Sequence, residues 1–370
     1  MGSAKIVFTG DIAFSRYYKE KVKDESIIGD DVLSFLKDAD HGVFNVEGAV
    51  SKPTHAGTFV HTNDPACAGF IRKMGGDIWN LANNHMFDAG PEGCADTIKH
   101  AHEVGSLTVG AGANIDEAAK PVIRKSSGGI GILSATLTGK TVRAAKDAAG
   151  CLSCEDTEKM RETVEEIKKT CRWCVMVIHS GKEFLDIPDK NLRARYRSYL
   201  DMGADIIVAH HPHVPQNYET VGDKIIFYSL GNFIFDTDYQ RAQTHTDEGV
   251  LLKLNFTEDA FSFEAAGTKI DRATGHISLK RVPAVFRDLH DEDYAVLDPY
   301  VAMRFIEHEK KRFIGLFPDE YKEKGDKVWL DRWEFVSKTY TDLPEFFMRA
   351  SCYPAIKPGD EYKDLVEYIV

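Results

Sequence analysis

Across its first 250 residues the chain alternates short apolar runs with longer stretches in which apolar positions recur every three or four residues. Short bounded runs read as buried strands and the helical period as amphipathic helices, so their alternation predicts a layered α/β domain. Strands are expected at residues 5–9, 42–46, 77–81, 106–109, 130–134, 174–178, 205–209 and 224–228, and helices at 30–37, 64–74, 91–104, 156–169 and 191–202. Gly75, Gly105 and Gly203 follow three of these helices as stops. Gly222 and Asp223 separate the runs 218–221 and 224–228 as a hairpin turn does. The runs 250–256, 261–265 and 276–282 then read as antiparallel strands that close the sheet region. Aromatic and charged helical patterns follow at 300–313 and 327–340. The chain is therefore expected to divide into a domain of residues 1–285 and a carboxy-terminal appendage, helical or irregular, of residues 286–370.

Composition narrows the partners. With 43% hydrophobic and 28% charged residues over 370 positions, the chain has the make-up of a soluble globular protein. No apolar run approaches the roughly 18 residues that span a bilayer, and no signal peptide is expected at the amino terminus. A formal charge of −12 disfavours nucleic acid and anionic membranes as main partners. The 7 cysteines are too few and too scattered for a disulfide framework, and fit a reducing compartment. Cys151 and Cys154, and Cys171 and Cys174, have the spacing of a four-cysteine zinc site. A helix over 155–170, with Ser153 as a candidate cap, would hold the pairs about 20 Å apart. Zinc needs all four sulfurs within about 2.3 Å of one point, so buried or idle thiols are expected instead.

The candidate chemistry lies where strands end. The run 5–9 leads into Gly10-Asp11, the run 42–46 carries Asn45 and ends in Glu47-Gly48, and the run 77–81 leads into Asn83-Asn84-His85. The run 174–178 ends in His179-Ser180-Gly181, and the run 205–209 ends in His210-His211-Pro212-His213. Strand ends open onto the ligand crevice of α/β sheets, which would gather these groups at one edge. Taken singly, Asp11 could cap a helix, Asn84 could make a turn and His179 could be a hydrogen-bonded polar residue. Together they would crowd like charges unless a cation sat among them. Carboxylates, an amide oxygen and imidazoles suit Mn²⁺, Fe or Zn²⁺ more than Ca²⁺ or Mg²⁺.

Six segments carry a family resemblance. Gly10-Asp11-Ile12, Asn45-Val46-Glu47, Ala82-Asn83-Asn84-His85 with Asp88 and Gly90, His179-Ser180-Gly181-Lys182-Glu183, Gly203-Ala204-Asp205 with His210-His211-Pro212-His213, and the run from Tyr228 to Asp236 resemble the CapA family. These are poly-γ-glutamate capsule biosynthesis proteins similar in fold to calcineurin-like metallophosphoesterases. The resemblance covers about residues 6–254 and implies a four-layer α/β/β/α sandwich with a carboxy-terminal appendage. It implies two divalent ions: Asp11 and His213 holding one, Asn84, His179 and His211 the other, and Glu47 bridging them. His85 matches the histidine that protonates the leaving group. Glu183, Asp236 and Asn232 would orient ligand imidazoles, and His210 would be a neighbour. The sequence departs from the pattern at Ala13, where a histidine ligand is usual, and at Ser180, where Trp is common. The membrane anchor of capsule-assembly members is not seen, and Met1-Gly2-Ser3 reads as a tag remnant, which implies a cytoplasmic chain, or a cell-surface or membrane-anchored one if an anchor preceded it.

The expected function is a metal-dependent hydrolase of an anionic substrate, a phosphoester or a γ-glutamyl amide, with metal-bound hydroxide as nucleophile. The alternative is a noncatalytic component of capsule synthesis or export whose ions bind the carboxylates of poly-γ-glutamate. A proton donor at position 85 favours the enzyme.

Overall fold

A computed structural model describes residues 3–52, 60–139 and 141–316. The fold is mixed α/β, built on two large sheets. The first has seven strands in the order Ile277–Lys280, Phe261–Ile270, Glu248–Phe256, Ala4–Phe8, His41–Asn45, Gly76–Asn80 and Leu107–Val109. Its four members from Ala4–Phe8 onward run parallel, whereas Glu248–Phe256 pairs antiparallel with Ala4–Phe8 and begins an antiparallel flank. The second has six strands in the order Tyr218–Val221, Lys224–Phe227, Ile206–His210, Trp173–Ser180, Ile130–Leu137 and Val122–Arg124. Its four central strands are parallel and both edges are antiparallel.

Side-chain alternation along the strands sorts the apolar residues into three cores. Ile6, Phe8, Val43 and Ile78 of the first sheet share one cluster with Ile132, Val175, Val177 and Val208 of the second. Val7, Phe44 and Trp79, displaced by one position, join Val32 and Leu36 of helix Asp30–Lys37 and Ile71 of helix Cys67–Lys73. Leu133, Met176, Ile178 and Ile207 join Met160, Val164 and Ile167 of helix Thr157–Thr170 and Tyr196 and Leu200 of helix Lys190–Met202. Both faces of the central strands are covered, which is why they read as unbroken apolar runs rather than as alternating ones.

Local signals end the helices as the sequence implies. Asp189 accepts from the amides of Asn191 and Leu192 at the start of Lys190–Met202, and Gly203 with φ +125° stops it. Gly75 and Gly105 also have positive φ, and Gly222 turns the hairpin of Tyr218–Val221 with Lys224–Phe227. Several boundaries differ. The expected helix at 64–74 starts only at Cys67, because Asp64 accepts from the amide of Ala66 in a preceding turn. Phe261–Ile270 runs five residues past the expected end at 265 as a half-exposed strand, and the antiparallel edge strand Val122–Arg124 is too short to leave a pattern. Ser153 does not cap helix Thr157–Thr170; Asp156 stands at that position.

The four cysteines near that helix are free and buried, Cys151 in the cluster under the first sheet and the other three in the cluster under the second. Burial pushes the thiols of Cys154 and Cys174 up, to about 11 and about 12.

The long helix Asp291–Leu316 contains the expected pattern 300–313; the pattern at 327–340 lies outside the described residues. Leu297, Val301 and Phe305 of this helix pack on Leu185 and Ile187, which follow the strand Trp173–Ser180. Arg193 clamps the helix by a bidentate pair with Asp298 at 2.7 and 2.8 Å, its guanidinium lying over the ring of Tyr294. Among the described residues, no helix is long and apolar enough to cross a membrane.

Candidate metal centre

The strand ends do converge. Asp11 and Glu47, beyond the first two parallel strands of the first sheet, and His179 and His213, at and beyond strand ends of the second, are all nearly or fully buried. Nε2 of His213 lies 3.7 Å and Nε2 of His179 3.9 Å from the same Glu47 oxygen. Asn84 Oδ1 accepts from, or faces, Nε2 of His179 at 2.8 Å. The rings of His179 and His211 are 4.9 Å apart, and those of His211 and His213 5.9 Å. Two trios have ligand atoms within 4.8 Å of one another: Asp11, Glu47 and His213, and Glu183, His211 and His213. Each trio could hold a metal ion.

A cross-sheet chain of amides fixes the Asp11 side. Ser134 donates to Asn80 at 2.5 Å, Asn80 to Asn45 at 2.8 Å, and Asn45 to Asp11 Oδ1 at 2.7 Å, with His179 Nδ1 3.3 Å from the same Asn45 amide. Nδ1 of His213 donates to Asn232 Oδ1 at 3.0 Å and lies 3.1 Å from Asp11 Oδ2. Asn232 is in turn held by Gln240 and the Thr246 carbonyl, so it orients that ring. Asn63 completes the frame by donating to the carbonyls of Glu47 and Gly48. Gly10 permits the approach: a Cβ there would sit 2.3 Å from the Gly231 carbonyl oxygen.

Other residues fall beside the cluster. His210 donates from Nε2 to the Thr9 carbonyl. Asp236, expected to orient a ligand imidazole, instead receives Arg241 at 2.5 and 2.8 Å and stands 3.8 Å from Arg272, because the loop after Phe235 carries it to those cations. His85 Nδ1 meets Asp88 Oδ2 at 2.6 Å, and the same oxygen accepts the backbone amide of His61. The His61 ring lies 4.3 Å from that of His85, edge to face. Asn45 was among the candidates, whereas Asn63, Asn80 and His61 were not readable as members of the site. Their roles depend on pairings across the sheets, and the only signal was polar residues inside or beside otherwise apolar strand runs.

Several buried polar atoms of the cluster have no protein hydrogen-bond partner. Both oxygens of Glu47, Oδ2 of Asp11 and Nδ1 of His211 are buried with no hydrogen-bond partner. Burial pushes the Glu47 carboxyl well above the usual range. Burial also lowers His179 well below the usual imidazole value and takes His211 down to about 4. Burial opposes charge on His213 too, yet the Glu47 and Asp11 carboxylates raise it to about 10. His179 and His211 held neutral, beside the unpaired carboxylate oxygens of Glu47 and Asp11, are donors of the kind that a divalent cation needs.

The chain is similar to known proteins. The chain is 32% identical over 279 residues to the "PGA biosynthesis protein CapA" of Bacillus subtilis (strain 168), covering 72% of each chain. It is 31% identical over 252 residues to the "Capsule biosynthesis protein CapA" of Bacillus anthracis, covering 64% of this chain and 61% of that one. The crystal structure of TT1561 of Thermus thermophilus aligns with a TM-score of 0.40 at 10% identity, over 71% of this chain and 98% of that one. Residues 5–237, which hold every residue of the cluster, match the bacterial capsule synthesis protein family PGA_cap, and the chain belongs to that family.

Proposed function

We propose that the protein is a metal-dependent hydrolase of an anionic substrate, a phosphoester or a γ-glutamyl amide, linked to poly-γ-glutamate capsule metabolism. The observation that carries this reading is Glu47: a fully buried carboxylate, both oxygens unpartnered, within 4 Å of His179 and His213. In this reading Asp11 and His213 would hold a first ion, Asn84, His179 and His211 a second, and Glu47 would serve both, with Mn, Fe or Zn matching the mixed donors. Divalent ions there would activate water near neutral pH and neutralise charge on the substrate. Asn45 and Asn232 hold Asp11 and His213 in place, and Asp88 fixes the ring of His85 through Nδ1. His85 then delivers a proton from Nε2 to the departing oxygen or nitrogen.

The same reading takes the two sheets and their helices as a four-layer α/β/β/α sandwich of the metallophosphoesterase kind, supported by one core shared between the sheets and one beneath each. It places the domain within residues 1–285, since the last strand of the sheets ends at Lys280 and helix Asp291–Leu316 starts a new element. The relatives' names connect them with capsule biosynthesis, and the B. subtilis name with PGA. The test is metal analysis with a panel of phosphomonoesters, phosphodiesters and γ-glutamyl peptides. Bound ions and turnover of one class are expected; a metal-loaded protein that turns over none overturns the hydrolase.

A further inference from the structure

We propose that Glu183 is a direct metal ligand, donating beside His211 and His213 where the two ion sites of the proposed centre adjoin, rather than a residue that only orients imidazoles. The assignment rests on the metal-centre reading above and adds a donor to it. The Asp11–Glu47–His213 trio supplies three protein donors, and Ala13, two residues after Asp11, offers a methyl group. The second trio shares His213 and brings Glu183 and His211. Nδ1 of His211 is buried without a hydrogen bond, so the pairing that would make Glu183 a mere partner of that nitrogen is not made.

The backbone holds Glu183 there. Gly181 takes φ +129° and Phe184 φ +64°, and the amide of Phe184 donates to the Pro212 carbonyl at 2.8 Å. This bond ties the turn 181–184 directly to the loop that carries His211 and His213. A Cβ at Gly181 would lie 3.3 Å from the Pro212 ring, so the two loops are already in close contact. Behind the carboxylate, the Tyr239 hydroxyl is 3.4 Å from Oε2 and the Phe184 ring packs on those of His213 and Tyr239. A carboxylate half-screened from water and fixed between two histidines has the placement of a ligand.

The test uses the full chain, stripped of metal and titrated with Mn²⁺ by equilibrium dialysis, and separately loaded with Co²⁺ for visible absorption. Glu183→Gln keeps the shape and removes the charge, Glu183→Ala removes the donor, and the melting temperature of each metal-free variant confirms folding. If either variant fails to fold, Glu183→Asp, with a shortened donor, takes its place. The expected result is at least tenfold weaker binding of one Mn²⁺ per chain and a changed Co²⁺ band. Unchanged Mn²⁺ affinity overturns the assignment. Weaker binding with an unaltered Co²⁺ band also overturns it, because Glu183 then acts only through the imidazoles. A parent protein that binds neither ion removes the metal-centre reading itself, an outcome distinct from the other two.

Discussion

Glu47 and His213 hold opposite halves of one electrostatic problem. His213 is raised to about 10, chiefly by Glu47 and Asp11 against the effect of burial, while burial lowers His211 to about 4. A raised folded value means that stability is present below pH 6.5 and lost as pH climbs toward 10. A depressed histidine works the other way: the unfolded chain binds the extra proton between pH 4 and 6.5, so stability rises across that window. These two histidines alone would place the melting maximum of metal-free protein near pH 6.5, and the raised Glu47 carboxyl moves it toward lower pH, a profile that thermal melts in EDTA will show. Because ligands must shed protons, loading Mn²⁺ at pH 7 should release about one or two protons per chain, read by calorimetry in buffers of different ionisation enthalpy. At the reacting end, His85→Ala should lower turnover by roughly 10²–10⁴ with metal content intact, and least for substrates with good leaving groups. Asp88→Asn should move turnover in the same direction, since it loosens the Nδ1 contact at 2.6 Å. The groups proposed as ligands, and Asn45 beside them, were legible because each lies in or follows an apolar run; Asn63, Asn80 and His61 were not, because nothing local tells a polar side chain that meets the site from one that meets a turn.

At the scale of elements, the parallel strands were legible to within a residue or two at their starts because both faces are buried, and the helices because their stops are glycines. What the sequence did not disclose is the contact made by Asp291–Leu316, whose apolar face meets residues more than a hundred positions earlier. This helix backs the segment that carries Glu183: Leu185 and Ile187 are buried against Leu297, and the Lys182 ammonium lies over the ring of Phe305. Leu297→Ala deletes a fully buried side chain and should cost about 2–5 kcal/mol of stability. If the helix supports that segment, amides 182–187 should exchange hydrogen faster in this variant while those of Ala4–Phe8 stay protected, a contrast visible by mass spectrometry.

For the molecule as a whole, a charge of −12 sets how it meets a polyanion. Attraction cannot come from the general surface, so binding of poly-γ-glutamate should require divalent ions and vanish with chelator. Added monovalent salt screens the repulsion, so affinity measured between low and physiological ionic strength should hold or rise, the reverse of a basic polymer-binding protein.

The antiparallel pairing of Ala4–Phe8 with Glu248–Phe256 has a consequence for vectorial synthesis. The strand that leads into Asp11 is made some 240 residues before its partner on that side. Until then its edge on that side is unpaired. All the candidate donors from Asp11 to His213, and the Asn232 that holds His213, are made before that partner, so the donor set is complete in the chain before the strand that leads into Asp11 is closed in on both sides.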